Sequence, residues 1–154
     1  MRKNGYLSDS AKINICSTTT QCAAGTTTIT SSSVNMAGFN SVLFVVPLGT
    51  IVSGAVTSIK LQQSSDDGSS HSFDDLTGTS QTIADTDDDK VVYVDLKQPQ
   101  KQYVRMVVSR ATQNATLGGI LALQYQKRSI APTGFTQGTN VAGEQWTAPA
   151  EGTA

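Results

Sequence analysis

Hydrophobic and polar residues alternate with a period of two along much of the chain, which is typical of β-strands with one buried face. The clearest example is the stretch 90–110, where alternating runs at 91–96 and 103–109 flank a short connection that contains Pro99. This arrangement predicts a β-hairpin with a medium-length loop. We expect the rest of the chain to be organised around this hairpin.

Other segments show strand patterns as well. Residues 39–46 form a nearly continuous apolar run, which predicts a strand covered on both faces and ended by Pro47 and Gly49. Alternating or β-rich residues predict further strands at 11–18, 26–33, 57–64 and 120–126. We expect the last of these strands to extend the hairpin into a meander.

The spacing of these strands predicts an all-β protein, a single antiparallel β-sandwich of jelly-roll or related type. The predicted core consists of the inward-facing apolar residues of the strands: Val42, Phe44, Ile59, Leu61, Val92, Val94, Val104, Met106, Val108, Leu121 and Leu123. The opposite faces of the hairpin are only half polar. We therefore expect a partner, such as another copy of the chain, to cover part of them.

With 154 residues, the chain has the length of about one domain. We divide it into an N-terminal arm of residues 1–10, a sandwich domain of residues 11–126 and an extended C-terminal arm of residues 127–154. The C-terminal arm is rich in Gly and Pro and has no periodicity, yet it carries Phe135 and Trp146. We expect it to dock across a neighbouring subunit, and a flexible terminus is the alternative.

Composition supports the all-β prediction, because serine and threonine make 37 of the 154 residues and strong helix formers are scarce. The charge is segregated: residues 66–89 contain eight aspartates and neither Lys nor Arg, so this region carries −8 and the remainder +7 of the net −1. Such a region is either a set of hydrated loops or an acidic edge that meets a basic partner. No basic run is long enough to predict a nucleic-acid partner.

Candidate chemistry is sparse. Asp85, Asp87 and Asp89 have the spacing of the first ligands of a calcium loop, but Lys90 stands where the turn glycine should be and Leu96 where the bidentate glutamate should be. An EF-hand is therefore excluded. A looser cation site among these carboxylates stays open, and we expect no cofactor.

No catalytic role is predicted for His71, the only histidine, because it lies in a serine-rich loop without a nucleophile elbow. We do not expect an enzyme. Pairing of Cys16 with Cys22 is left open, since the chain shows no export signal that would favour a disulfide. No apolar run approaches the ~18 residues of a membrane span, so we expect synthesis in a cytoplasm and no membrane partner.

The stretches FNSVLFVVPLG, SIKLQQSSDDGSSHSFDDLTGTS, VVYVDLKQPQKQYVRMVVSRAT and LALQYQ, which together span roughly residues 39–126, resemble the small virion structural proteins of tailed bacteriophages. These are β-sandwich proteins that decorate or cement the head shell. The resemblance implies a non-enzymatic protein that is made in the host cytoplasm and binds the major capsid protein on the exterior of the virion. We also expect a homo-oligomer, with a trimer favoured over a dimer.

The alternative is a carbohydrate-binding or structural sandwich of a phage tail or neck, since similar sandwiches occur there. A glycan-binding protein should present an aromatic platform, for which Tyr93 and Tyr103 are the candidates. The residues that we expect to contact the capsid or another subunit are Phe135, Trp146, Asp87, Asp88, Asp89, Tyr93 and Tyr103.

Overall fold

A computed structural model describes residues 5–128, 136–148 and 151. Its strands are β1 (Lys12–Ile15), β2 (Ile29–Thr30), β3 (Val34–Asn35), β4 (Phe39–Ile51), β5 (Val56–Ser64), β6 (Asp74–Asp75), β7 (Gln81–Ile83), β8 (Val91–Lys97), β9 (Tyr103–Ala111), β10 (Ala115–Leu117) and β11 (Leu121–Lys127). A four-residue helix, α1 (Thr19–Cys22), follows β1. Single 3-10 turns lie at Leu7–Asp9 and Asp85–Asp87.

Two antiparallel sheets pack face to face, which confirms the predicted all-β sandwich. The first sheet has the order β1, β11, β4, β8, and β10 continues the line of β11 along β4. In the second sheet, β2 and β3 flank one side of β9, and β6 and β7 flank the far side of β5. The chain passes from one sheet to the other at most connections. This order favours a jelly roll, and the jelly-roll type stays a prediction.

The predicted hairpin is wrong. Strand β8 pairs with β4 in the first sheet, whereas β9 pairs with β5 in the second, so the loop between them crosses the edge of the sandwich. The expected meander is wrong for the same reason, because β11 pairs with β1 and β4. Alternation had indicated correctly that both strands bury one face, but it carries no information about which strands are neighbours.

Pro47 does not end β4, which continues to Ile51. Proline lacks an N–H and is tolerated inside a sheet only where no ladder bond is required of it. Pro47 lies where the neighbouring strand is interrupted between β10 and β11, and only its carbonyl is used there, accepting a 2.7 Å hydrogen bond from the Gly118 N–H. The resulting long strand contacts β8 on one side and β10 and β11 on the other.

The core contains most of the predicted residues, but the predicted face of the last strand is wrong. Ile120, Ala122 and Gln124 are buried, whereas Leu121 and Leu123 are half-buried on the outer face of the first sheet. Gln124 can lie inside because its polar atoms have partners. Its Nε2 donates to the Asn35 carbonyl (2.6 Å) and its Oε1 accepts from Asn14 Nδ2 (3.0 Å). Val92 faces the core but remains half-buried, since β8 is an edge strand.

A buried arginine ties the chain together near α1. The Arg110 guanidinium donates hydrogen bonds to four main-chain carbonyl oxygens, at 2.7–3.1 Å, which belong to Gln21, Ala23, Thr27 and Ala115. Burial lowers the pKa of Arg110. The sequence prediction missed α1, although Thr18 and Gln21 form a capping box that could have revealed it.

Both cysteines are free thiols buried in the core. Burial raises the pKa of the Cys16 thiol to about 11, because the low-polarity surroundings disfavour the thiolate. The side chain of Cys22 instead contacts Ser17, with its Sγ donating to Oγ at 3.3 Å. The two residues therefore serve as apolar packing groups.

The described part of the C-terminal arm, residues 136–148, lies on the N-terminal region of its own chain. The Gly138 N–H donates to the Ile13 carbonyl (2.9 Å), and the Ile13 N–H donates to Gln137 Oε1 (2.7 Å). Gln137 Nε2 also donates to the carbonyls of Ser8 and Ala11. These hydrogen bonds hold residues 137 and 138 of the arm against the β1 edge of the first sheet.

We predict that two aliphatic residues near the start of β11 differ sharply in their contribution to stability. Ile120→Ala should lower the free energy of unfolding by ~2–5 kcal/mol, because it leaves a cavity in the core. Leu123→Ala should cost only about 1–2 kcal/mol, because that side chain is half-buried. Urea denaturation of both variants measures the difference, and equal losses would contradict the observed face of β11.

We also predict that Arg110→Lys destabilises the protein by at least about 3 kcal/mol. An ammonium group presents three donors and cannot reproduce the fork of a guanidinium, so buried carbonyls lose their partners. Lys60→Arg, on the polar outer face of the second sheet, keeps the charge beside Asp75. It is the matched control and should change stability by less than about 0.5 kcal/mol. Urea denaturation followed by circular dichroism compares the two variants.

Candidate binding surfaces

The two sheets present very different outer faces. Most of the outward side chains of the first sheet are apolar, and Ser41, Asp95 and Lys97 form a polar group at one end. We call the apolar ones the apolar outer face: Ile13, Ile15, Leu43, Val45, Pro47, Val91, Tyr93, Leu121 and Leu123. The strand register places them in rows that cross the sheet, one of which runs from Ile15 through Leu121 and Val45 to Tyr93. A sheet in contact with water on this side normally carries polar residues at such positions.

Exposure varies across the apolar outer face. Val91 and Tyr93 on β8 are 58% and 61% exposed, while the residues of the central strands are half-buried beneath their neighbours. A large contiguous apolar patch on a protein surface is typical of a binding site. The expectation that another molecule covers part of an outer face stays a prediction, and β8 of the first sheet carries the most exposed residues of the apolar outer face.

The outer face of the second sheet is polar. Lys60 and Gln62 on β5 both reach the carboxylate of Asp75 at 2.7 Å, and Arg105 Nε donates to Gln62 Oε1 at 2.8 Å. The Arg105 guanidinium also lies 4.0 Å from the centre of the Phe73 ring. These side chains satisfy one another in water, so this face shows no sign of a missing partner.

A second apolar feature forms where the C-terminal segment crosses the first sheet. Trp146 and Leu7 are 70% and 72% exposed there, at the rim of a groove of about 290 Å³. Ile13 and Leu123 line the same groove, so it opens onto the apolar outer face. We call Trp146 and Leu7 together the Trp146 cluster.

The predicted aromatic residues do not come together. Tyr93 lies on the outer face of the first sheet and Tyr103 on that of the second, so the two rings point to opposite sides of the sandwich. The Tyr103 hydroxyl accepts a 3.2 Å hydrogen bond from Asn35 Nδ2. Phe135 lies outside the described residues.

The aspartates predicted to meet a partner mostly bind their own chain. Asp87 accepts from Lys90 Nζ at 2.8 Å and from the Ala84 N–H at 2.9 Å, and the resulting interactions lower its pKa. Asp88 accepts from the Ile51 N–H at 2.6 Å, which fastens the acidic loop to the end of β4. Within residues 5–128 and 136–148, the Asp89 carboxylate has no hydrogen bond or ion pair. The sequence could not show this use of the charges, since the main-chain N–H donors belong to distant segments.

A tight loop forms around Asp66 in the same acidic region. Its carboxylate contacts His71 Nδ1 at 2.8 Å and accepts from the main-chain N–H groups of Gly68, Ser70 and His71. These contacts, the one with the His71 side chain above all, lower the pKa of Asp66 to about 2. His71 therefore has a structural partner, and its contact shapes the loop.

In the part of the chain that the structure describes, no three His, Cys, Asp or Glu side chains lie close enough to hold a metal ion. The described residues likewise include no helix long and apolar enough to cross a membrane. Comparison of the chain with protein-family models, with curated proteins and with solved structures finds no significant match. Function must therefore be inferred from the surfaces of the chain and from the sequence resemblance.

We predict that His71→Ala raises the pKa of Asp66 from about 2 towards its ordinary value of 3.8. Because folding lowers this pKa, the contact stabilises the folded loop above pH 3.8, and its contribution is lost as the pH falls through about 2. Carboxyl-carbon NMR titration measures the change. The pKa of Asp75, which Lys60 lowers independently, is the internal control and should stay unchanged.

Proposed function

We propose that this protein is a non-enzymatic capsid decoration or cement protein of a tailed bacteriophage, which binds the major capsid protein on the exterior of the virion and stabilises the shell. The sequence resemblance over residues 39–126 supports this function. The structural observation that carries it is the Trp146 cluster, an exposed aromatic anchor held at a fixed place on the sandwich.

Hydrogen bonds on both sides of Trp146 hold it in position. Gln145 Nε2 donates to Ser8 Oγ (2.8 Å) and to Asp9 Oδ1 (2.7 Å), and the Thr147 hydroxyl pairs with the Tyr6 hydroxyl at 2.8 Å. The segment is therefore ordered before any partner binds. Such preorganisation lowers the entropic cost of binding, so more of the contact energy remains for affinity.

A tryptophan with this exposure has a strong tendency to be covered by a protein partner. Its ring can bury ~150–250 Å², and tryptophan is among the residues that most often dominate interface energy. Trp146 shares a groove with Leu7 and with Ile13 and Leu123 of the apolar outer face. A shell of repeated capsid subunits offers the broad surface that such an anchor and face can contact together.

The tail or neck alternative in its carbohydrate-binding form receives less support. A glycan-binding site needs aromatic rings that converge on one sugar, and Tyr93 and Tyr103 lie on opposite sides of the sandwich.

The aspartates contribute less to the proposed capsid contact than the sequence suggested, because Asp87 and Asp88 hold the acidic loop. Asp89 keeps its carboxylate available for a basic capsid residue.

We predict that Trp146→Ser weakens binding to undecorated phage heads by roughly thirtyfold, which corresponds to the loss of about 2 kcal/mol from a hot-spot residue. The fold should be unaffected, because the side chain is mostly exposed. Co-sedimentation with purified heads measures binding, and circular dichroism checks the fold.

Val56→Ser is the matched control, since Val56 is 61% exposed on the second sheet, away from the Trp146 cluster. It should bind heads like the unmodified protein. Equal binding by the Trp146→Ser variant would contradict the anchor role. Retention on a glycan array through Trp146, with no binding to heads, would favour the carbohydrate-binding alternative.

A further inference from the structure

The edges of the sandwich are protected to different degrees. An exposed edge strand presents unpaired N–H and C=O groups to any other chain, and proteins protect such edges with short strands, charges or covering segments. The second sheet ends on one side in β2 and β3 and on the other in β6 and β7, each only two or three residues long. These edges leave little room for a partner strand.

The β1 edge of the first sheet is covered by the chain itself. The outward-pointing N–H and C=O of Ile13 are both satisfied by the C-terminal segment, through Gln137 Oε1 and the Gly138 N–H. A side chain at position 138 would approach the Ile13 carbonyl to 2.8 Å, so the segment lies as close to the strand as glycine permits. The segment therefore blocks this edge at Ile13 to another chain while it is in place.

The β8 edge has no such cover. The hydrogen bonds from Leu48 N–H to Lys90 O and from Gln98 N–H to Asn40 O show that the even-numbered residues of this strand bond to β4. In an antiparallel pair the odd-numbered residues must then direct their main-chain groups away from β4. In the described chain, the only hydrogen bond to these outward groups is the one that Gln81 Nε2 donates to the Tyr93 carbonyl, at 3.3 Å.

We propose that β8 is a self-association edge, along which two copies of this chain pair β8 with β8 in antiparallel orientation about a twofold axis through Val94. Only another extended strand matches the regular spacing of all the outward donors and acceptors over Val91–Lys97. Pairing would join the two first sheets into one continuous sheet. The proposal does not rest on capsid binding.

The sequence of β8 is complementary to itself in this register. Val94 faces its own copy, and Val92 faces Leu96 of the second copy, so the inward apolar row continues across the axis. On the outer side Tyr93 faces Asp95 and Val91 faces Lys97, which places no like charges directly opposite each other. A register centred on Asp95 would place two carboxylates face to face and is disfavoured.

Burial provides the driving force. Val92 and Leu96 point towards the core but remain half-buried, because no strand lies beyond β8. A paired copy would cover their open sides. It would also cover part of Val91 and Tyr93, which are the most exposed residues of the apolar outer face.

A ring of three copies would require a different contact. In such a ring, β8 of one copy would pair with β1 of the next, and the C-terminal segment already occupies the β1 edge. Strand pairing therefore favours a dimer, while the trimer expected from the sequence would have to form through other surfaces.

The test compares Tyr93→Pro with Tyr93→Thr by sedimentation equilibrium of the full chain at several concentrations, without heads. Proline at this outward position removes an N–H that donates to nothing within the chain, so the pairing with β4 is kept. We expect the unmodified protein to be a dimer and Tyr93→Pro to raise the dimer dissociation constant by at least about a hundredfold. Tyr93→Thr removes the same ring but keeps the N–H, and it should remain largely dimeric.

Amide hydrogen exchange of the unmodified protein tests the proposal without any variant. The amides of Val91, Tyr93, Asp95 and Lys97 should be protected at high protein concentration and exchange rapidly on dilution, whereas those of the even-numbered residues should be protected at both. A monomer or trimer at high concentration, or rapid exchange of the outward amides at every concentration, would overturn the proposal. Binding of heads by a monomeric Tyr93→Pro variant would leave the proposed function intact.

Discussion

The need to satisfy main-chain hydrogen-bonding groups at sheet edges shapes this protein more than any single contact. In a two-sheet sandwich the interior is shared, but each sheet still ends in strands with unpaired N–H and C=O groups. The second sheet ends in very short strands. At the β1 edge of the first sheet, Gln137 and Gly138 of the C-terminal segment hydrogen-bond to the main chain of Ile13. Among the strands of the described residues, β8 alone combines length, exposure and outward main-chain groups that mostly lack a partner within the chain.

The same requirement explains the polar groups inside the fold. Arg110 is buried because the segment around α1 leaves carbonyl oxygens that no strand can satisfy, and a guanidinium supplies several donors at once. Gln124 likewise satisfies a main-chain carbonyl, that of Asn35, and it also accepts a hydrogen bond from the Asn14 side chain. These polar side chains hold the irregular parts of the chain on a core that is mostly apolar.

The sequence predicted the sandwich well because the period-two pattern reports burial directly, as at Phe44 and Met106. It could not predict strand partners, since β8 and β9 bury one face each whether or not they pair. The predicted buried face of β11 was wrong, because both faces of this strand carry apolar residues. Only the distant hydrogen-bond partners of Gln124 show which face is buried. Composition drew attention to Trp146, and its role in binding stays a prediction. The internal use of Asp87 and Asp88 depends on contacts that no local pattern records.

The two proposals support each other without depending on each other. A dimer through β8 would leave the Trp146 cluster free on both copies, because that cluster lies beside β1 at the opposite edge of the first sheet. Two anchors joined in one rigid sheet would bind a repetitive shell with an affinity that exceeds that of either anchor by orders of magnitude, provided that their spacing matches the shell. A twofold sheet with anchors at its two ends could therefore span two capsid subunits, and even modest single contacts would be sufficient for stable attachment.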